Sequence, residues 1–219
     1  MDLDACLASM DEVRTEHLRR IDALRDEAGL CYDQAEVARR LRLALRQELE
    51  AAEIAALWMP TTREVDVKLA LGRMVGDEVR HYELLLRRLQ QLGETVTPQD
   101  SLAGGTSRFY AFLAGIDDVI ERVAAACYTR EAIGHLRNEQ FIAFCERAGD
   151  HETARMYREQ IQPDEWGHVE AGARLLRLLI RDAAGAERAQ AISRRTLELA
   201  EGAVSQLVLA QGLSCAPGC

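Results

Sequence analysis

The 219-residue chain carries 36 acidic against 27 basic residues, a formal net charge of −9. That balance disfavours a nucleic-acid or anionic-membrane surface, because phosphate binding relies on Lys and Arg. No apolar run approaches the ~20 residues a membrane span needs, and the opening Met-Asp-Leu-Asp-Ala-Cys lacks a basic stretch followed by an apolar one, so neither a membrane partner nor a secretory leader is expected.

Six dispersed cysteines without disulfide-framework spacing point to a reducing, cytoplasmic setting with free thiols. Long Leu/Ala/Arg/Glu-rich stretches with few glycines or prolines read as all-α, and the length suits a single domain over 1–219. In chain order, an amphipathic helix is expected from about Leu3 to Ala28, closed by Gly29. The second runs from about Gln34 to Met59 and stops at Pro60. Thr61 and Thr62 read as the N-cap of a third helix, with Glu64 in its first turn, that ends near Leu92 and Gly93. The stretch 93–105 is a long crossover loop by composition. A fourth helical region spans about Ser107 to Ala148, with an interruption near Gly115, and a fifth runs from about Asp150 to Ala184. Pro163 is expected to kink or restart that fifth helix. A last helix, about Ala186 to Ala210, precedes a tail (211–219) expected to be mobile, in which Cys215 and Cys219 are either incidental thiols or a redox or soft-metal pair. The core bundle is placed at about 34–184.

The chemistry is carried by a motif that occurs twice, Asp77-Glu78-Val79-Arg80-His81 and Asp164-Glu165-Trp166-Gly167-His168. Random placement of the acidic and histidine residues gives roughly 0.03 Asp-Glu-x-x-His matches, so two demand a cause. Glu and His three residues apart share one helix face and can hold one ion. Two such helices, each with a carboxylate from a neighbouring helix, can hold two ions in a bundle core. In the first half, Glu48 stands alone on the stripe Leu41, Ala44, Leu45, Ala51, Ala52 and Ala55. A buried acid there needs a partner such as a cation. Glu53 is the fallback. In the second half Glu131 is preferred to Glu139. The metal set is therefore Glu48, Glu78, His81, Glu131, Glu165 and His168, a donor set suited to two Fe ions, or Mn. Asp77 and Asp164 are expected to accept hydrogen bonds from the non-ligating N–H groups of the histidines. His135 shares the face of Glu131 and is a candidate to hydrogen-bond a ligand side chain or to serve as a further ligand. Tyr128 and Tyr82 lie near the ligands as candidate hydrogen-bonding or redox groups, or as core. His17 and His151 sit among charged neighbours and read as solvated.

Asp-Glu-Val-Arg-His resembles the Asp-Glu-x-Arg-His motif of carboxylate-bridged diiron proteins in the ferritin-like superfamily. The order Glu48, Glu78-x-x-His81, Glu131, Glu165-x-x-His168 follows that superfamily's pattern over roughly residues 40–185, although Gly167 replaces the Arg in the second motif. The first half also looks like the catalytic subunit of the ring-hydroxylating phenylacetyl-CoA epoxidase, through Trp58 and the Asp-Glu motif. The resemblance implies a ferritin-like four-helix bundle with extra N- and C-terminal helices. It further implies an O₂-activating diiron oxygenase that hydroxylates, epoxidises or N-oxygenates a small organic substrate with an external electron donor. A homodimer is expected. Two alternatives stay open: an iron-handling or peroxide-reducing protein, and a metal-free helical interaction protein.

Overall fold

The computed structural model describes residues 3–25, 30–97, 100 and 105–218. Among these there are helices and no strands. α1 is Leu3–Ala23, α2 Gln34–Trp58, α3 Val65–Gln91 and α4 Arg108–Ala114. α5 is continuous through an α-helical Val119–Arg122, a π-helical Val123–Arg130 and an α-helical Glu131–Arg147. α6 repeats that plan with α-helical His151–Met156, π-helical Tyr157–Ile161 and α-helical Gln162–Leu179. α7 is Ala183–Gln211. No helix among the described residues is long and apolar enough to cross a membrane.

Local chemistry explains the boundaries. Asp33 caps α2 by accepting from the Glu36 N–H. Thr61 and Thr62 do not cap α3: their hydroxyls donate back to the Trp58 carbonyl, and the helix begins one residue after Glu64. The expected interruption near Gly115 is real and separates α4 from α5. α1 stops at Ala23, earlier than its apolar pattern, and the expected stop at Gly29 lies outside the described residues, as do 98–99 and 101–104 of the crossover. Pro163 marks a restart of α-helical geometry within α6. It enters the first turn of the α-helical stretch, directly after the π turn Tyr157–Ile161. The residue that proline would crowd four positions back is Glu159, whose carbonyl belongs to that wider turn.

Two apolar layers fix the direction of the chain. One contains Val37 to Leu45 of α2, Leu85 and Leu89 of α3, Phe141 to Cys145 of α5 and Tyr157 and Ile161 of α6. The other contains Ile54 to Trp58, Val67 to Met74, Val123 to Tyr128 and Leu175 and Leu176. α2 and α6 therefore run one way and α3 and α5 the other. α3 and α5 are parallel. α1 and α7 pack outside α5 around Ile21, Ile133, Leu197, Ala200 and Val204.

The tail is not the mobile end its Gly/Ser/Pro composition implied. Leu213, Ser214, Cys215 and Ala216 are buried. Arg40 Nε donates to the Ser214 carbonyl at 2.9 Å, and Arg137 donates to the Ala216 carbonyl from two nitrogens at 2.9 and 2.6 Å. The Gly218 N–H donates to Asn138 Oδ1 at 2.9 Å. Cys215 is buried, and Cys219 lies outside the described residues. His17 likewise departs from expectation. It is buried between α1 and α7, with Nδ1 3.0 Å from Glu201 Oε2, while His151 is exposed.

Candidate metal centre

Between the two apolar layers, each of the four inner helices turns its ligand-type residues inward. Glu48, Glu78, His81, Glu131, Glu165 and His168 are all buried, none more than 6% exposed. They form two groups, Glu48–Glu78–His81–Glu165 and Glu78–Glu131–His168, in each of which the potential ligand atoms lie within 4.8 Å of one another. Glu78 belongs to both. Its Oε2 is 3.4 Å from His81 Nδ1 and its Oε1 is 3.9 Å from His168 Nδ1, the disposition of a carboxylate shared by two positions. Around His81 Nδ1, Glu48 Oε2 and Glu165 Oε1 lie at 3.5 and 3.6 Å. Around His168 Nδ1, Glu131 Oε2 lies at 3.4 Å.

The outward nitrogens are held crosswise. His81 Nε2 is 3.0 Å from Asp164 Oδ2, and His168 Nε2 is 3.2 Å from Asp77 Oδ2. Each Asp thus serves the histidine of the other motif. A proton on Nε2 donated to the aspartate leaves the Nδ1 lone pair facing the carboxylates. Asp164 is itself bonded to Arg80.

Electrostatics show what the arrangement requires. Burial raises Glu48 to about 7 and holds Glu165 well above the usual carboxylate range, with the neighbouring glutamates adding to it. Burial also works against charged histidine, yet Glu48 and Glu78 outweigh it at His81 and raise it to about 10. At His168 the Glu131 carboxylate does the same, to about 9. Glu78 goes the other way: burial opposes its charge, but His81 and the Arg130 guanidinium hold it below the ordinary range. Both Glu78 oxygens and His81 Nδ1 are buried without an aligned hydrogen-bond partner among the described residues. Such groups are costly, and native cores rarely leave them unsatisfied. Four carboxylates and two imidazoles are donors that could hold metal, Glu48, Glu78, His81 and Glu165 in one group and Glu78, Glu131 and His168 in the other.

Several contributors left no motif in the sequence. Arg130 is buried and donates to Glu131 Oε1 at 2.8 Å, setting a positive charge against the cluster. Gly134, one turn beyond Glu131, makes room for Glu165: a Cβ there would stand 3.0 Å from Glu165 Oε2. Gly172 lets α6 approach the π turn of α5, where a Cβ would meet the Cys127 and Tyr128 backbone at 2.7 Å. Tyr157 is fully buried, its hydroxyl has no hydrogen-bond partner among the described residues, and burial together with the Glu48 charge raises it well above its ordinary value.

The remaining candidates fall beside the centre. Tyr128 donates its hydroxyl to Asp11 of α1, and Arg14 lies 4.2 Å over its ring, so the hydroxyl is engaged outside the cluster. Tyr82 packs half-buried against the apolar layer of Leu41 and Phe141. His135 stands in neither group; its ring is 5.4 Å from that of Trp166, and burial lowers its pKa. Glu53 is exposed, and Glu139, also exposed, accepts from Gln162 at 2.5 Å. A cavity of about 210 Å³ between α3 and α6 is lined by His168, Asp77 and Asp164, with Met74 and Cys127 giving it apolar wall. No protein-family model, curated protein or solved structure matches the chain.

Proposed function

We propose that this chain is a dinuclear-metal oxidase or oxygenase of the ferritin-like, carboxylate-bridged type, holding two Fe ions, with Mn the alternative metal. The observation that carries the reading is the buried set of four glutamates and two histidines with Glu78 common to both groups and its oxygens unpartnered among the described residues. The antiparallel pairs α2/α3 and α5/α6, with a long connection between parallel α3 and α5, are the topology that places such a set in a bundle core. Bound iron would supply O₂ activation, with electrons from an external donor.

The chain's own residues do the rest. Asp77 and Asp164 orient the imidazoles, each accepting a hydrogen bond from an Nε2–H. Arg130 offsets one negative charge of the cluster. The two apolar layers exclude water from either end. The α3/α6 cavity gives a small reactant a path to His168. The test is O₂ consumption after anaerobic Fe(II) loading, with the visible spectrum recorded. Uptake well above that of free Fe(II), lost in His81→Ala and Glu78→Ala, supports the reading. Uptake no faster than free Fe(II) in buffer sinks it.

A further inference from the structure

The two Asp-Glu-x-x-His motifs hold their aspartates and histidines alike but differ in the residue before the histidine: Arg80 precedes His81, and Gly167 precedes His168. On the His81 side, Nε2 lies 3.0 Å from Asp164 Oδ2. Arg80 reaches across from α3 to bond that same carboxylate and the Gln160 carbonyl of α6, so a guanidinium covers the outer face of the pair. On the His168 side, Nε2 lies 3.2 Å from Asp77 Oδ2, and the position that corresponds to Arg80 carries no side chain. Asp77 has no ion pair with Lys or Arg among the described residues, and its side chain is 35% exposed.

The cavity of about 210 Å³ between α3 and α6 opens on this second side. Asp77, Gly167 and His168 line it, and Arg80 does not. Packing does not call for the glycine. A Cβ at position 167 would meet nothing within 4 Å, unlike one at Gly134 or Gly172. The backbone there is ordinary helix, where Ala is preferred to Gly. What the glycine leaves is the space of the longer side chain that the first motif has. At the roughly 30 Å³ that one water takes in the liquid, the cavity holds on the order of seven non-hydrogen atoms. Ala70, Met74, Cys127 and Ala171 give it apolar wall. Its two lining acids, Asp77 and Asp164, are matched by two lining guanidiniums, Arg73 and Arg174, so the cavity suits an uncharged guest.

We propose that Gly167 is the specificity-determining residue that holds this cavity open, admitting small uncharged reactants to the His168 side of the centre while Arg80 closes the His81 side. The proposal rests on the dinuclear reading for what such a reactant meets. The opening itself belongs to the metal-free chain and is tested there.

The reporter is Cys127, a buried free thiol on the cavity wall. Burial raises it to about 12, so its reaction is slow and the ratio between variants is what is read. Exposed Cys31 normalises the reagent, and Cys145, buried in the other apolar layer, reports opening of the whole fold. Metal-free full chain is labelled with methyl methanethiosulfonate or its bulky benzophenone analogue, and each cysteine is followed by peptide mass spectrometry. The small reagent should modify Cys127 without unfolding, and the bulky one about tenfold more slowly or worse after normalisation to Cys31. Gly167→Arg should slow the small reagent at Cys127 about tenfold or more, by setting a guanidinium on Asp77. Gly167→Gln should slow it less and Gly167→Ala not at all, with Cys145 unchanged throughout. Equal Cys127 rates in Gly167→Arg, Gly167→Gln and the unaltered chain would overturn the proposal. So would parallel slowing of Cys127 and Cys145, no preference for the small reagent, or no labelling of Cys127 short of unfolding. Absent O₂ uptake beside the expected labelling would count against the dinuclear reading alone.

Discussion

Replacing Gly134 with Ala separates a metal centre from a merely buried acidic cluster. Gly134 sits in the α-helical part of α5 without unusual backbone angles, so a methyl group there is conformationally welcome. Ala is favoured over Gly in a helix interior by roughly 1 kcal/mol. The new Cβ, however, would stand 3.0 Å from Glu165 Oε2 and 4.0 Å from its Cδ. The carboxyl end is the mobile part, so it shifts by a few tenths of an ångström rather than the backbone. In metal-free protein that movement costs little, and the thermal midpoint should hold or rise by about 2–4 °C, the shift that ~1 kcal/mol gives in a domain of this size. In loaded protein the same movement displaces a ligand. Affinity at the position shared by Glu48, Glu78, His81 and Glu165 should fall about tenfold, or ~1.4 kcal/mol. Competition against a chromophoric chelator, run beside metal-free melts, reads both effects. Unchanged affinity with a raised midpoint would refute Glu165 as a ligand. Marked loss of metal-free stability would refute the placement of Gly134.

The metal-free protein should lose stability as pH rises. The folded values of His81 and His168 lie above the unfolded 6.5, at about 10 and 9, so their contribution is complete below about pH 6.5 and lost as pH climbs through 9 and 10. Burial likewise raises Glu48 from 4.5 to about 7, so its contribution is complete below 4.5 and lost through about 7. Melts from pH 6 to pH 10 should therefore fall for metal-free protein and stay flatter once metal has replaced those protons; parallel profiles would contradict this. Gly172→Ala should cost about 1–3 kcal/mol in denaturant unfolding, because the obstructing atoms are backbone of Cys127 and Tyr128 that cannot swing aside; a neutral result would mean the helices do not approach so closely. Removing residues 213–219 should destabilise the chain by a similar amount or more, since it strips the carbonyl acceptors from buried Arg40 and Arg137; an unchanged unfolding midpoint would show the tail to be dispensable.

The gathering of the six buried Glu and His residues was legible because it is written in helical spacing. Glu48 on an alanine and leucine stripe, and the two Glu-x-x-His pairs, need nothing beyond a 3.6-residue period to be placed on inward faces. The π turns were not legible. A wider turn at Val123–Arg130 changes the phase ahead of Glu131, so residues 123–134 are buried all round and no face could be read from their spacing. His135 follows Glu131 by four residues in the same α-helical stretch, yet its ring stands against Trp166 and not in either ligand group. Arg130, Gly134 and Gly172 act by charge or by absence of volume at contacts between helices far apart in sequence, which one helix's pattern cannot report. The tail was misread for a related reason. Its anchors are backbone carbonyls, which carry no sequence signature, met by arginines 174 and 79 residues away. His17 looked solvated among Glu16, Arg19 and Arg20, and only the packing of α7 against α1 reveals Glu201 as its partner.

The most direct test of the central claim is metal stoichiometry. Protein purified anaerobically and incubated with Fe(II), then freed of loose metal by gel filtration, should retain about two Fe per chain by native mass spectrometry. Glu78→Ala, which removes the carboxylate common to both groups, should lose both ions while Tyr82→Phe keeps them. Retention of no metal by the unaltered chain, or of two ions by Glu78→Ala, would contradict the account.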